Sequence, residues 1–308
     1  MVIAAQANPC SGRMSHLFDG FHSRPWATLP IMSTDLHPFD RAVALTATGV
    51  PNQYQGTASP DYWNMVGPYG GITAASLVQA IQQHPQCLGD PLSITVNYAA
   101  AVGPGAFEID ANPVRTNRST QHWLLTITQT DAQGQAQIVT TATAVTAVRR
   151  QTWSVSDMPM PEVRAAAEVE RVPPLFKASE WLTRYEMRFL DGILPREEDG
   201  AERDSLTRLW VRDNPPRPLD FASLAAVCDV FFPRAWLRRA RRVPAGTVSI
   251  TVYFHAGREE LAATGDGLLL AQARGQEFRN GFFDQTAQLW NQSGQMLATS
   301  HQIVYYKE

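Results

Sequence analysis

The sequence of 308 residues predicts an α+β fold in which one unit, a long helix wrapped by an antiparallel sheet, occurs twice in tandem. Three observations carry this expectation. The run Ser93-Ile-Thr-Val-Asn-Tyr98 recurs as Ser249-Ile-Thr-Val-Tyr-Phe254. The turn Asp131-Ala-Gln-Gly134 recurs as Asn291-Gln-Ser-Gly294. Ala75-Ser-Leu77 recurs as Ala222-Ser-Leu224, each inside an apolar stretch with helical periodicity. Segments repeated in the same order mark a duplicated unit, and each copy must bury a helix against a sheet. Two such sheets joined edge to edge also remove exposed strand edges.

Residues 1–38, with Pro9, Gly12, Gly20, Pro25 and Pro30, read as an irregular N-terminal extension. The first unit is expected over 39–150. Strands are predicted at 42–48 and 53–57, separated by the turn Gly49-Val-Pro-Asn52. The glycine-rich Asn64-Met-Val-Gly-Pro-Tyr-Gly-Gly71 leads into a helix at 72–83, where Ile72, Leu77, Ala80 and Ile81 suit a buried face. Turn formers then divide 92–101, 107–115, 122–130 and 136–148 into four strands of an antiparallel meander. A linker across the surface is expected over 151–180, which holds Pro159, Pro161, Pro173 and Pro174. The second unit, 181–308, repeats the pattern with strands at 185–190 and 206–211, one helix at 219–237, and strands at 247–255, 267–274, 281–290 and 295–306.

The helix expected at 219–237 holds the most informative side chain. Leu224, Val227, Cys228 and Phe231 recur at helical spacing, and Asp229 sits among them. A carboxylate in apolar surroundings is costly unless it is hydrogen-bonded or paired. Asp229 therefore either braces nearby backbone or does chemistry. The amides of Gly70 and Gly71, at the start of the other helix, can serve as donors to an oxyanion or a phosphate. Glycines that simply allow close packing are the alternative.

Composition removes several classes of function. A formal net charge of −3 and a charged fraction of 18% give no reason to expect nucleic acid. Cys10, Cys87 and Cys228 cannot all pair and show no C-x-x-C spacing, which argues against a disulfide scaffold or a zinc site and fits a reducing, cytoplasmic location. No apolar run reaches the roughly 18 residues of a spanning helix, so no membrane partner is expected. Lys177 and Lys307 are the only lysines, leaving anion recognition to arginine. Arg115, Arg118 and Arg274 are candidates for binding the phosphates of a ligand, against the plainer reading of solvated strand ends. His255 and His301 lack the spacing of a metal motif, and no Gly-x-Ser-x-Gly elbow is present.

Four features in order resemble the double hotdog acyl-CoA thioesterases of the thioesterase II family and their thioesterase-like relatives. They are Gly67-Pro-Tyr-Gly-Gly71, Trp210-Val-Arg212 leading to Leu219-Asp-Phe221, Asp229, and the ending Gly294-Gln-Met-Leu-Ala-Thr-Ser-His-Gln302. The resemblance runs from about Phe39 to the C-terminus and implies a double hotdog fold that hydrolyses acyl-CoA without cofactor or metal, within lipid metabolism. It implies a catalytic Asp229, Thr247 and Gln302 that hold and activate a water. Thr251 competes with Thr247, since simple alternation puts both on one face, but the Phe254-His255 ending favours Thr247. Gly70 and Gly71 are the expected oxyanion donors. The repeat gives Gln82, Pro91 and Ala142 as first-half counterparts, so one catalytic constellation per chain is expected. A hydratase would want a His soon after the acid, and Asp229 is followed by Val230, Phe231, Phe232 and Pro233. A non-catalytic acyl-ligand-binding or scaffold protein is the alternative function. Base rates favour a homodimer.

Overall fold

The structure, a computed structural model, describes residues 36–174 and 179–307. The expected N-terminal extension lies, as far as residue 35, outside the described residues. Pro38 opens a short helix instead of leading toward a strand: α1 (Pro38–Ala42) begins with a proline in its first turn, and His37 Nδ1 accepts from the Phe39 amide. Proline is preorganised for that position and loses no needed donor there. The strand expected at 42–48 is accordingly reduced to β1 (Thr46–Ala47). The first half continues through β2 (Gln53–Thr57), α2 (Gly70–Gln83), β3 (Asp90–Tyr98), β4 (Ala106–Thr116), β5 (Thr120–Thr130) and β6 (Ala136–Ala147).

The second half holds β7 (Tyr185–Asp191), β8 (Thr207–Asp213), α3 (Phe221–Val227), α4 (Arg234–Arg239), β9 (Ala245–Phe254) and α5 (Arg258–Thr264). It ends with β10 (Leu269–Arg274), β11 (Phe278–Arg279), β12 (Phe282–Trp290) and β13 (Met296–Tyr306). All these strands join one antiparallel sheet in the order β1-β2-β4-β5-β6-β3-β9-β13-β12-β10-β8-β7, with β11 on β12. The two halves meet where β3 pairs with β9. In that pairing Thr95 faces Thr251, its own counterpart in the repeat, and their Oγ1 atoms are 3.0 Å apart. A local two-fold axis therefore passes between these two threonines.

Helices α2 and α3 pack against each other within the largest core cluster. Residues 71–78 of α2 are buried without interruption, because the helix has sheet on one side and α3 on the other. The linker is packed as well: Met160, Val163, Ala166 and Val169 cover Trp210, Leu270 and Trp290, and Trp210 Nε1 donates to Arg164 O at 3.0 Å.

The helix expected over 219–237 is broken. Its first part, α3, starts in a capping box between Asp220 and Ser223 and ends at Val227. The second part, α4, begins only after Pro233. Proline lacks the amide that a continuous helix needs and disfavours helical backbone at Phe232. Carbonyls at the α3 end are also bonded by side chains, Tyr69 Oη donating to Ala226 O, which the Asp229 amide shares, and Ser300 Oγ to Cys228 O. Arg234, fully buried, donates to Phe232 O, Ser205 O and Thr207 Oγ1 and pins the far side of the break. Asp229 thus lies in a tight turn after a helix rather than in the middle of one.

Candidate active site

The turn after α3 carries Asp229 to the N-terminus of α2. There Gln302 Nε2 donates to Asp229 Oδ1 at 2.8 Å, and the nearby Gly71 amide also favours the ionised carboxylate. The amide-rich start of a helix favours a negative charge. Burial nonetheless dominates, raising the carboxyl to about 7 against the lowering effect of Gln302 and then Gly71. At that value the group exchanges a proton near neutral pH, which suits a general base.

Gln302 is fixed from its other side. Thr247 Oγ1 donates to Gln302 Oε1 at 3.3 Å, which leaves the amide NH2 end facing Asp229. The three residues form a series, Thr247 to Gln302 to Asp229, in which Thr247 reaches the acid only through Gln302.

A bulge decides which threonine takes part. Ile303 pairs with Ser249 while Val304 pairs with Thr247, so Val248 is an extra residue in β9. The bulge reverses the alternation and sets Thr247 on the inner face with Gln302. Thr251 stays on the outer face with Thr95. The expectation that both threonines share a face is therefore corrected, because that expectation assumed an unbroken strand. The same bulge occurs in the first half, where Pro91 pairs with Thr146 and Ser93 with Val145 around Leu92. This register keeps Pro91 as the counterpart of Thr247 but moves the counterpart of Gln302 from Ala142 to Ala144, which pairs with Ile94 as Gln302 pairs with Ile250.

Gly70 and Gly71 permit the approach. A Cβ on Gly70 would stand 2.8 Å from Asp229 Oδ2 and 3.3 Å from Tyr98 Oη. On Gly71 it would meet the Tyr69 ring at 2.5 Å and Ala226 O at 2.6 Å. The Gly71 amide, an expected oxyanion donor, lies close enough to Asp229 to lower its proton affinity. Sequence reasoning missed two tyrosines here. Tyr98 Oη donates to Gly70 O at 2.8 Å, and the Tyr69 ring stacks on Trp181 with centroids 4.4 Å apart. A signal was present for both: Tyr69 lies inside the glycine motif, and Tyr98 is the hydroxyl-bearing counterpart of Phe254.

The arginines do not converge. Arg115 on β4 and Arg274 on β10 have six strands between them in the sheet order. Arg115 Nε bonds Asn117 Oδ1, Arg274 pairs with Asp204 at 2.6 Å, and Arg118 is exposed in the turn before β5. His301 pairs with Asp284 and His255 with Thr299, and His301 lies on the sheet face opposite its neighbour Gln302. No cluster able to hold a metal is found among the described residues. No helix among them is long and apolar enough to cross a membrane.

Two helices lying side by side against one continuous antiparallel sheet, related by a two-fold at its centre, define a double hotdog protein. Residues 59–147 match the acyl-CoA thioesterase N-terminal domain and residues 155–306 the acyl-CoA thioesterase C-terminal domain. The chain belongs to this acyl-CoA thioesterase family. It is 45% identical to a hotdog-fold protein of unknown function from Alicyclobacillus acidocaldarius, covering 89% of this chain and 99% of that one with a TM-score of 0.82. A putative thioesterase II from Thermobifida fusca is 20% identical over 88% of this chain and 97% of its own, with a TM-score of 0.72. The acyl-CoA thioesterase II TesB2 of Mycobacterium marinum is 15% identical over 87% and 98%, with a TM-score of 0.69. These last two likenesses concern the fold. No curated protein matches the chain.

Proposed function

We propose that the protein hydrolyses acyl-CoA thioesters to a carboxylic acid and CoA, with Asp229 as general base. Residues 39–150 and 181–308 act in this reading as two units joined by 151–180, the second supplying the base. The observation that carries the reading is the half-buried Asp229 carboxylate, bonded by the Gln302 side chain beside the Gly71 amide, with a proton affinity raised to near neutral pH. Structural bracing alone does not call for a carboxyl group at this position, because an amide would accept the same bonds without the desolvation cost.

A thioester carbonyl is electrophilic enough that orienting and deprotonating a water is the main task. The water oxygen bonds to the carbonyl carbon and its proton passes to Asp229. Collapse of the tetrahedral adduct breaks the C–S bond, and the thiolate takes the proton back from Asp229. Thr247 serves by holding the Gln302 amide in the orientation that faces the acid.

Thiol release from a panel of acyl-CoAs tests this. Turnover by the wild-type chain that disappears in Asp229→Asn, with the fold retained, is the expected result. A variant as active as wild type removes Asp229 from the mechanism. A wild-type chain inert across the panel leaves the acyl-ligand-binding scaffold as the better reading.

A further inference from the structure

The Gly70–Gly71 peptide is the part of α2 that meets Asp229, and it is held from outside its own helix. Tyr69, at the N-cap of α2, makes no side-chain bond to the first turn. The first amides of a helix have no intrahelical acceptor, and glycine restrains its backbone less than any other residue. Two glycines at an uncapped helix start therefore leave the orientation of the peptide between them to neighbouring elements.

Two elements supply it. The Gly71 N–H lies beside the Asp229 carboxylate, in the turn after α3. The Gly70 C=O belongs to the same peptide unit and accepts from Tyr98 Oη of β3 at 2.8 Å. In a trans peptide these two groups point in opposite directions, so Tyr98 and Asp229 address one peptide from its two ends. Both also flank the bare α-carbon of Gly70, where a Cβ would stand 2.8 Å from Asp229 Oδ2 and 3.3 Å from Tyr98 Oη.

The repeat offers an independent comparison. Tyr98, the last residue of β3, corresponds to Phe254, the last residue of β9. Phe254 meets the first residue of α3, Phe221, with ring centroids 5.7 Å apart. Each half thus sets an aromatic ring against the start of its helix. Only the half whose helix start lies beside Asp229 adds a hydroxyl to that ring.

We propose that Tyr98 is a positioning residue for the base: its hydroxyl, bonded to Gly70 O, holds the Gly70–Gly71 peptide with the amide turned toward Asp229, where it stabilises the ionised carboxylate. The inference rests on the thioesterase reading above. A donor on the carbonyl also polarises the peptide and strengthens the N–H at its other end. Without the hydroxyl that N–H is a weaker and less directed donor, and the carboxyl keeps its proton to higher pH. The titratable groups in the field of Asp229 are Cys228 beside it, Tyr69 at the start of α2, Tyr98 on β3 and Tyr185 on β7. Burial raises all four, so each is neutral around pH 7 and the titration belongs to Asp229.

Tyr98→Phe tests this, and Phe254 shows that the fold accommodates phenylalanine at this place. The acid limb of the kcat/KM profile should move up by roughly half a pH unit, which is about a threefold deficit at pH 6 that closes by pH 9. A carbon-13 NMR titration of carboxyl-labelled aspartate, with the Asp229 signal assigned by its absence from Asp229→Asn, should show the same upward shift. An unchanged titration midpoint overturns the proposal. So does an activity deficit of equal size at pH 6 and pH 9, which is what a purely structural hydroxyl gives. The titration does not depend on turnover: a wild-type chain that releases no thiol refutes the hydrolysis, and the Asp229 midpoint alone then decides whether Tyr98 positions the amide.

Discussion

Either side of the Thr95–Thr251 axis the chain builds the same frame, with a helix end brought to a helix start and a bulged strand beside a long hairpin strand. On one side the frame holds Asp229, Gly71, Thr247 and Gln302. On the other, the helix repeat puts Gln82 in place of Asp229 and Pro218 in place of Gly71, while the strand register puts Pro91 in place of Thr247 and Ala144 in place of Gln302. Neither proline has an amide hydrogen, and alanine has no polar side-chain group. The first-half position has thus lost the acid and every donor that held it, whereas its backbone bulge at Leu92 remains. The backbone frame is common property of the fold, and the ionisable chemistry is confined to one copy.

The largest effect expected from breaking this asymmetry is at Asp229. Asp229→Asn makes the acid resemble Gln82 and should lower kcat by roughly 10³-fold. The wild-type pH profile supplies a second reading. A base raised to about 7 is active when ionised, so kcat/KM should climb as pH rises through that value and then level. Stability runs the other way. The folded carboxyl is raised above its unfolded value, so folding is favoured at acid pH and loses stability as pH rises from about 4 toward 7. Asp229→Asn should abolish that decline, seen as a melting temperature higher than wild type at pH 8 and similar to it at pH 4.

Next in size is Gly70→Ala, whose added carbon would stand 2.8 Å from Asp229 Oδ2 and 3.3 Å from Tyr98 Oη. Displacing the carboxylate by even part of an ångström should cost about 10²-fold in kcat. Full activity in this variant would show that the close approach of α2 to the α3 turn is not required. Gln302→Ala follows, with a loss of roughly 10- to 100-fold for a hydrogen bond to a charged group. Because Gln302 lowers the Asp229 pKa, its removal pushes the value further up, and the activity deficit should be greater at pH 6 than at pH 9. A deficit independent of pH would refute that electrostatic role.

Much of this was legible in the sequence because it rests on local pattern. Alternating strands bounded by turn formers recovered β4, β5, β6, β12 and β13 to within a few residues, and the repeat indicated that two sheets join edge to edge, though not that β3 and β9 are the joining strands. The errors fall where tertiary contacts override the local pattern. Residues 219–237 read as one helix because every side chain fits a helix face, yet Pro233 and the carbonyl bonds from Tyr69, Ser300 and Arg234 divide it. The charge on α5 concealed a short helix held by Glu260 bonding back to the Gly257 amide. At the site, the residue types were legible and their connection was not. Gly70 and Gly71 are legible as donors at a helix start, but nothing in the sequence shows that Asp229 lies beside them.

The bulge at Val248 yields the smallest and most discriminating comparison. Thr247 and Thr251 are the same residue type on the same strand, and an unbroken alternation makes them equivalent. With the extra residue they part: Thr247 holds Gln302 on the inner face, and Thr251 meets Thr95 on the outer face. Thr247→Val should cost several-fold in kcat, since Gln302 keeps its bond to Asp229 but loses what fixes its amide orientation. Thr251→Val should leave kcat and KM unchanged and lower stability by about 1 kcal/mol or less, the value of one half-buried hydroxyl pair. The reverse outcome, activity lost at Thr251 and kept at Thr247, would mean that β9 carries no bulge and that the inner face of the strand is set one residue out of register.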